Sequence, residues 1–258
     1  MNKILSTTSG PIGTLTFNNP ERHNAMSLDM WRGAATVLEA FERDPAIRVI
    51  VLTGAGGKAF VSGADISKFE DERATLDAVA EYNASVDRFS AALLNGTKPT
   101  IAMIRGFCLG GGVGIAACCD LRIANDTARF AVPAAKLGLG YGYENVRRIA
   151  DLVGPPFAAE MLLTARQFDA AEAARVGLIN RVVPDAEIDR TVRELAETIA
   201  GNAPLTIQAV KRILRELRRE SPDVAACDAL VQKCFESADY REGRRAFMEK
   251  RKAEFRGV

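Results

Sequence analysis

Short apolar segments alternate with amphipathic ones along the part of the chain before Pro155. Residues 12–17 alternate between apolar and polar side chains, which predicts a strand with one buried face. Residues 47–53 are almost continuously apolar, as in a strand that a sheet buries on both faces. Between these strands, Ser27 can cap a helix that runs to about Glu42. The same reasoning predicts a helix and three short strands further on, over residues 71–95, 100–104, 121–124 and 129–132.

Helical patterns dominate from Pro155 onward. They cover residues 155–163, 170–175, 186–201, 204–220 and 223–237, and a charged tail follows over residues 239–255. Strands that alternate with helices, followed by helices alone, predict an α/β core with a C-terminal helical region. We place the two regions at residues 1–195 and 196–258. No linker rich in Pro, Gly and Ser separates them, and no repeat of about 20–50 residues is evident.

Composition and charge argue against several classes of partner. The 258 residues include 34 Lys and Arg against 33 Asp and Glu, a net charge of +1, so no bulk field favours nucleic acid or an anionic membrane. No apolar run approaches the roughly 20 residues that span a bilayer. Residues 1–9 lack the apolar stretch of a secretory signal. We therefore expect a cytoplasmic protein with a packed core.

The cysteine and histidine counts exclude further kinds of chemistry. The five cysteines form no C-x-x-C pair and their number is odd, which favours reduced thiols over a zinc cluster or a disulfide framework. Cys108, Cys118 and Cys119 lie on or beside an apolar helix, where we expect small buried side chains. His23 is the single histidine, so the sequence offers neither a Ser-His-Asp triad nor a His-rich metal site. We predict no metal ligands.

A triple glycine, Gly110 to Gly112, stands where the predicted strand over residues 100–104 gives way to an apolar helix. The first N–H groups of a helix have no internal partner, and glycine lets an oxygen approach them closely. A second candidate amide is that of Ala64, in a loop that follows another buried strand. Two convergent amides of this kind form an oxyanion hole, which stabilises charge on a carbonyl oxygen. Taken alone, a glycine triplet is more often a tight turn or a place of close helix packing than a site.

Together these segments resemble the crotonase superfamily, the enoyl-CoA hydratase/isomerase family, in order and in spacing. The matching segments span nearly the whole chain and comprise residues 19–26, 59–66, 98–112, 119–124, 174–183 and 240–252. The resemblance implies a spiral of ββα turns, a C-terminal helical part that forms trimers, and a hexamer built from two trimers. It also implies that the partner is an acyl-CoA thioester, with coenzyme A as part of the substrate and no tightly bound cofactor.

The resemblance also assigns roles to individual residues. The thioester oxygen would lie between the N–H groups of Ala64 and Gly111. The adenine end of coenzyme A would lie against two loops, which comprise Glu21, Arg22, His23, Ser62, Ala64, Asp65 and Ile66. Two residues of a neighbouring subunit, Phe247 and Lys250, would also reach the coenzyme. A solvated basic terminal helix is the alternative for the last two.

The chain departs from the family's pattern at both positions that carry the hydratase glutamates. Those positions hold Gly114 and Ala134 here. An acid or base contributes about 10²–10⁴-fold in rate, so water addition by this chain is in doubt. Tyr141 falls where relatives place a polar side chain beside the acyl group, and its phenol stays neutral at pH 7. Glu144 is the nearest carboxylate in sequence; it could equally be an acid favourable to a helix N-terminus.

Two hypotheses follow from these residues. In the first, the protein is an acyl-CoA lyase or isomerase that stabilises an enolate, and the reaction is hydration, isomerisation, decarboxylation or hydrolysis. In the second, it is a non-catalytic acyl-CoA-binding or regulatory homologue. Asp65 and Asp120 are expected to be structural. Arg147 and Arg148 follow Glu144 and are compatible with a plain helix surface, although one of them could pair with an acyl carboxylate.

Overall fold

The computed structural model describes residues 2–68, 72 and 74–258, and its strands form two sheets. In chain order they are β1 (Ile4–Ser9), β2 (Ile12–Phe17), β3 (Val49–Gly54), β4 (Ala59–Val61), β5 (Thr100–Ile104), β6 (Phe107–Leu109), β7 (Leu121–Asn125), β8 (Arg129–Ala131), β9 (Phe168–Asp169) and β10 (Arg181–Val183). The larger sheet has the order β1-β2-β3-β5-β7-β10 and the smaller one β4-β6-β8-β9. Apart from the antiparallel pairs β1–β2 and β8–β9, neighbouring strands run parallel.

The helices of the described residues cover the sheets and form the C-terminal part of the chain. They are α1 (Leu28–Arg43), α2 (Leu76–Asn95), α3 (Gly111–Cys118), α4 (Tyr143–Thr164), α5 (Ala170–Arg175), α6 (Ile188–Ala200), α7 (Pro204–Glu216), α8 (Val224–Glu236) and α9 (Ala238–Glu249). Three times the chain runs from the larger sheet to the smaller one and then into a helix: β3–β4–α2, β5–β6–α3 and β7–β8–α4. The predicted α/β fold of ββα turns is confirmed.

Several predicted elements differ from the observed ones at their ends. The helix predicted from residue 71 begins at Leu76; Asp71 and Arg73 lie outside the described residues. The predicted start at Pro155 lies within α4, since Gly154 has φ 77° and ψ 153° and divides that helix in two. Proline fits the first turn of a helix, so the second half can begin there. Ser27 is the N-cap of α1, but its side chain makes no capping bond; instead the Leu28 N–H donates to Glu72 Oε2 at 3.0 Å.

Apolar packing encloses both faces of the larger sheet. On one face, Phe17 meets Phe60 and Phe89 edge to face, with ring centroids 5.6 and 6.4 Å apart. On the other face, α6 buries side chains including Ile188 and Val192 against the strands. This helix crosses residue 195 without a break. The proposed boundary between core and helical region therefore remains a prediction.

The C-terminal residues return to the core after α9. The Arg48 Nη2 group donates to Phe255 O at 2.6 Å, and the Asp239 carboxylate accepts from the N–H groups of Arg256 and Gly257 at 2.7 Å. Phe247 and Met248 on α9 remain 83% and 80% exposed. Within the described part of the chain, no helix combines the length and the apolar character that crossing a membrane requires.

Candidate active site

The loop between β4 and the short 3₁₀ helix Ile66–Lys68 presents one main-chain amide to a cavity. Met26 N donates to Gly63 O at 2.8 Å, and Asp65 N donates to Met26 O at 2.9 Å. These two bonds fix the loop on either side of Ala64. The Ala64 N–H itself donates to no acceptor among the described residues. It is therefore available to a ligand.

The three glycines beside it have distinct roles. Gly110 has φ 52°, a left-handed conformation that a side chain would strain, and it turns the chain from β6 into α3. A Cβ on Gly112 would lie 2.1 Å from Val61 O, so only glycine lets α3 pack this closely on β4. Gly111 is the first residue of α3, and its N–H has no partner among the described residues. A Cβ on Gly111 would lie 3.8 Å from Gly63 Cα, which places the two candidate loops in contact distance.

Both amides line one cavity of about 570 Å³, which we call the Tyr141 cavity. This volume lies within the usual range of small-molecule sites. Its walls come from α1, α2, α3 and the segment that leads into α4, and they include Trp31, Val86, Ile115 and Tyr141. Trp31 Nε1 donates to Tyr82 Oη at 2.8 Å, so this buried polar atom is already satisfied. The free amides are thus set in largely apolar walls.

Tyr141 lies against the place where a side chain at position 114 would begin. A Cβ on Gly114 would be 3.6 Å from the Tyr141 Oη atom, and Ala134 lines the same cavity at 8% exposure. Burial raises the pKa of the Tyr141 phenol above its ordinary value, and nearby Cys118 adds to this while Arg148 opposes it. The phenol therefore stays a neutral hydrogen-bond donor at physiological pH.

Glu144 lies outside the Tyr141 cavity. It lines a separate groove on the far side of α4, together with Arg147 and Arg148. The sequence placed it near the acyl group because it follows Tyr141 by three residues. The first turn of α4 instead directs Glu144 into this groove, so the structure does not bring Glu144 together with Ala64, Gly111 and Tyr141.

Polar groups that sequence analysis missed also line the Tyr141 cavity. Asp87 and Asn83 come from α2, and Asn145 comes from the first turn of α4. Asp87 is exposed, and it is the carboxylate that the described residues bring to this cavity. The sequence did not indicate a site at Asp87, because a charged residue on an amphipathic helix is usually part of its solvent-exposed face.

The loops predicted to hold adenine are tied to each other. Arg22 Nη1 lies 3.3 Å from Asp65 Oδ1 and also donates to Ser67 Oγ. Ser62 N donates to His23 O at 3.1 Å, and Ser62 Oγ donates to Arg22 O at 3.3 Å. Asp65 is 4% exposed and accepts from Ser67 N and Oγ. Asp65 thus ties its own loop together, and its predicted contact with coenzyme A stays a prediction.

The remaining predicted binding residues are exposed. Ile66 is 58% exposed and lines the Tyr141 cavity, and Glu21 lies on the surface beside Arg22. The His23 ring packs edge to face on Phe107 at 5.8 Å, which suits a structural side chain better than a catalytic one. Phe247 and Lys250 do not line the cavity of their own chain. Their predicted contact from a neighbouring subunit stays a prediction.

The buried cysteines and Asp120 have the structural roles expected of them. Cys108, Cys118 and Cys119 are buried and form no disulfide, and burial raises the pKa of each thiol. Asp120 Oδ2 accepts from the N–H and hydroxyl of Thr100 at 2.7 and 2.9 Å. The described residues contain no group of three His, Cys, Asp or Glu side chains placed to hold a metal ion.

The chain is thus built from ββα turns, and two unpaired main-chain amides line one of its cavities. Residues 7–258 match the family model for enoyl-CoA hydratase/isomerase. The chain belongs to this family and is an acyl-CoA enzyme of the crotonase superfamily, which confirms the resemblance on which the site assignment rests.

Relatives of the chain match along nearly its whole length. A short-chain-enoyl-CoA hydratase from Clostridium acetobutylicum is 34% identical over 256 residues, which cover 98% of this chain and 97% of the relative. A crotonyl-CoA hydratase from Syntrophomonas wolfei is 36% identical over 247 residues, 95% of this chain and 94% of the relative. The crystal structure of an enoyl-CoA hydratase/carnithine racemase from Magnetospirillum magneticum superposes with a TM-score of 0.96 at 37% identity, covering 100% of this chain and 97% of that one.

Proposed function

We propose that the protein binds an acyl-CoA thioester with its carbonyl oxygen between the N–H groups of Ala64 and Gly111, and stabilises the enolate that forms there. The two amides are unpaired among the described residues and line one cavity. Each such donor contributes about 3–4 kcal/mol to transition-state stabilisation. The adenine end of coenzyme A would lie against the loops at Arg22 and Ser62.

We further propose that Tyr141 acts where the hydratases use carboxylates. The observation that carries this proposal is the 3.6 Å separation between the Tyr141 Oη atom and the Cβ that a side chain at position 114 would have. A neutral phenol at this place can donate a hydrogen bond or a proton to an enolate. It is a poor base, because burial raises its pKa and disfavours the phenolate.

The reaction that suits these residues least is the addition of water to a double bond. Water addition needs a base to activate water and an acid to protonate the α carbon, and Gly114 and Ala134 supply neither. Loss of carbon dioxide from the α carbon needs no protein base. There the C–C bond to an α-carboxylate breaks, carbon dioxide leaves, and the electron pair enters the enolate held by the two amides. The Tyr141 phenol then donates a proton to the α carbon and is reprotonated from water.

The test combines a broad acyl-CoA panel, followed by mass spectrometry and chromatography, with the substitution Tyr141→Phe. We expect conversion of at least one thioester by the wild type, and a fall in kcat of about 10²-fold or more in the variant with unchanged affinity for an unreactive thioester. Tyr143→Phe is the matched control, since Tyr143 is 72% exposed. Full turnover by Tyr141→Phe would contradict the role of the phenol.

A panel that is bound but never converted would favour the second hypothesis instead. The absence of carboxylates at positions 114 and 134 is the observation that supports a non-catalytic acyl-CoA-binding protein. In that case Tyr141→Phe would change affinity alone.

A further inference from the structure

A second large cavity lies beyond the Tyr141 cavity, where the C-terminal ends of α2 and α3 meet α4 and α7. It encloses about 900 Å³, and Cys118 and Cys119 line it on the α3 side. Seven cationic side chains line it against three carboxylates. We call it the arginine groove, and nothing in the function proposed above uses it.

The cations come from two helical segments. Five of them follow the helical period on one face of α7 and the turn after it: Lys211, Arg212, Arg215, Arg218 and Arg219. The other two, Arg147 and Arg148, come from the facing side of α4. Such a concentration of like charge is costly unless an anion offsets it.

The chain itself offsets only part of this charge. Lys211 Nζ pairs with Asp120 Oδ2 at 2.7 Å. Glu216 lies 2.9 Å from Arg212, 3.5 Å from Arg219 and 3.8 Å from Arg215. Asp223 lies 3.6 Å from Arg212. Arg147, Arg148 and Arg218 have no carboxylate within ion-pair distance among the described residues, although Glu144 and Asp151 line the same groove.

Arg215 is only partly paired: its Nη1 group donates to Leu94 O and Asn95 Oδ1, each at 3.3 Å. Its Nε atom is buried without a hydrogen-bond partner among the described residues, and the nearest carboxylate oxygen, on Glu216, is 3.8 Å away. Burial lowers the pKa of Arg215, and repulsion from Arg212 adds to this effect. A buried arginine N–H group without a partner favours an anionic acceptor.

The groove and the Tyr141 cavity have no lining residue in common, but both lie along α2, α3 and α4. Gly111 and Gly114 line the cavity, whereas Cys118 lines the groove one to two turns further along α3. On α4, Arg148 Nη1 in the groove donates to Asn145 Oδ1, which lines the cavity, at 3.0 Å. Burial raises the pKa of the Cys118 thiol, and the charges of Arg148 and Arg218 partly oppose this effect. Arg148 and Arg218 line the groove together with Cys118.

We propose that the arginine groove binds a carboxylate at the far end of the acyl chain, so that the substrate is the CoA thioester of a dicarboxylic acid. The inference rests on the proposed function, which places the thioester oxygen at Ala64 and Gly111. It holds for whichever reaction follows at the α carbon. Arg148 and Arg218 are the residues that contact the carboxylate.

The geometry also gives the length of the acyl chain. From Gly111 to Cys118, α3 advances seven residues, or about 10 Å at a rise of 1.5 Å per residue. An extended chain covers about 1.2 Å per bond, as the reach of a polypeptide shows. About eight bonds therefore separate the thioester carbon from the groove, which is the span from that carbon to a carboxylate oxygen in an eight-carbon diacid. A shorter chain would leave its carboxylate in the Tyr141 cavity.

The test measures calorimetric affinities of the full chain for matched pairs of saturated thioesters at constant ionic strength. The probes are hexanoyl- and adipyl-CoA, and octanoyl- and suberyl-CoA, which differ within each pair by the terminal carboxylate. We expect suberyl-CoA to bind at least about tenfold more tightly than octanoyl-CoA, as for a hydrogen bond to a charged group. The preference should be smaller for the shorter pair.

Arg148→Gln and Arg218→Gln should each remove most of the preference for suberyl-CoA and leave the affinity for octanoyl-CoA unchanged. Arg193→Gln, an exposed arginine on α6, is the control. Two substitutions keep the test decisive if one of them disturbs folding. Equal affinities for octanoyl- and suberyl-CoA in the wild type would overturn the inference and leave the proposed function intact.

Two further outcomes would also overturn it. An equal loss of affinity for both thioesters in the arginine variants would mean that the groove holds the phosphates of coenzyme A. Binding of free suberate with the same arginine dependence, without any preference between the thioesters, would mean a general anion site. Failure of every thioester to bind would instead contradict the proposed function itself.

Discussion

At the scale of single residues, the site depends on what glycine does at three consecutive positions. Gly110 makes the turn, Gly111 offers its amide, and Gly112 allows α3 to lie against β4. Two positions later, Gly114 leaves room that the Tyr141 hydroxyl reaches. Helix α3 thus needs glycine at one position for packing and at another for the shape of the site. Substitutions at these positions can separate the two roles.

The pair Gly112→Ala and Gly114→Ala makes that separation. A Cβ on Gly112 would lie 2.1 Å from Val61 O, so we expect a loss of about 3 kcal/mol in the free energy of unfolding. At Gly114 the nearest atom is 3.6 Å away, and the helix propensity of alanine should add up to about 1 kcal/mol. Chemical denaturation measures both. Equal destabilisation by the two substitutions would contradict these roles.

At the scale of secondary-structure elements, the tail after α9 is held by the Glu242 carboxylate as well as by Asp239. Glu242 accepts from Arg251 at 2.6 and 3.0 Å, from Arg245 at 2.6 Å, and from the Glu254 N–H at 3.2 Å. Hydrogen bonds from Arg251 and then Arg245 hold the pKa of Glu242 well below its ordinary value. Because the pKa is lowered on folding, this contribution to stability is present above the ordinary glutamate pKa and is lost as the pH falls.

We therefore expect the amide protons of residues 250–256 to have lower protection factors, which are corrected for the intrinsic pH dependence of exchange, at about pH 3 than at neutral pH, since the ordinary glutamate pKa is about 4.3. Glu242→Gln should show the lower protection already at neutral pH, because the amide carries no charge for Arg251. Glu197→Gln on α6 is the control. Hydrogen-exchange mass spectrometry measures this, and equally slow exchange in Glu242→Gln would rule out the anchoring role.

The sequence predicted the elements that have a strong period or a continuous apolar run. β2, β3, α1 and most of the C-terminal helices follow from such patterns. Strands β4, β6 and β9 span only two or three residues, which is too short for any period to be visible. The three ββα turns begin at Val49, Thr100 and Leu121, so their unequal lengths conceal the structural repeat from the sequence.

The site was predictable where it depends on the main chain and less so where it depends on side-chain direction. Gly111 and Ala64 follow strand ends, and glycine marks the first of these places directly. Glu144 is close to Tyr141 in sequence, but α4 turns it into the arginine groove. Asp87 and Asn83 were missed, because three-dimensional packing alone brings that face of α2 to the cavity.

At the scale of the whole molecule, the acyl-CoA site would be completed by assembly. Phe247 is 83% exposed, and neither it nor Lys250 lines the cavity of its own chain. The family resemblance implies that both reach coenzyme A from a neighbouring subunit. An exposed apolar side chain next to a cation is consistent with such a contact.

Lys250→Gln should accordingly weaken the binding of octanoyl-CoA about fivefold, as expected of an exposed charge pair worth about 1 kcal/mol. Lys252→Gln, two residues along the same tail, is the matched control. Calorimetry at two salt concentrations would show the loss shrinking as salt screens the interaction. Identical affinities in both variants would contradict a contact from Lys250.

The central claim is that this chain keeps the amides of its family and lacks the carboxylates that add water. The most direct test is the rate at which the pure protein converts crotonyl-CoA into 3-hydroxybutyryl-CoA, with calorimetry to show that the thioester binds. We expect binding with a hydration rate at least about 10⁴-fold below that of a relative that carries both glutamates, since each contributes about 10²–10⁴-fold. Rapid hydration of crotonyl-CoA by the wild type would contradict the account.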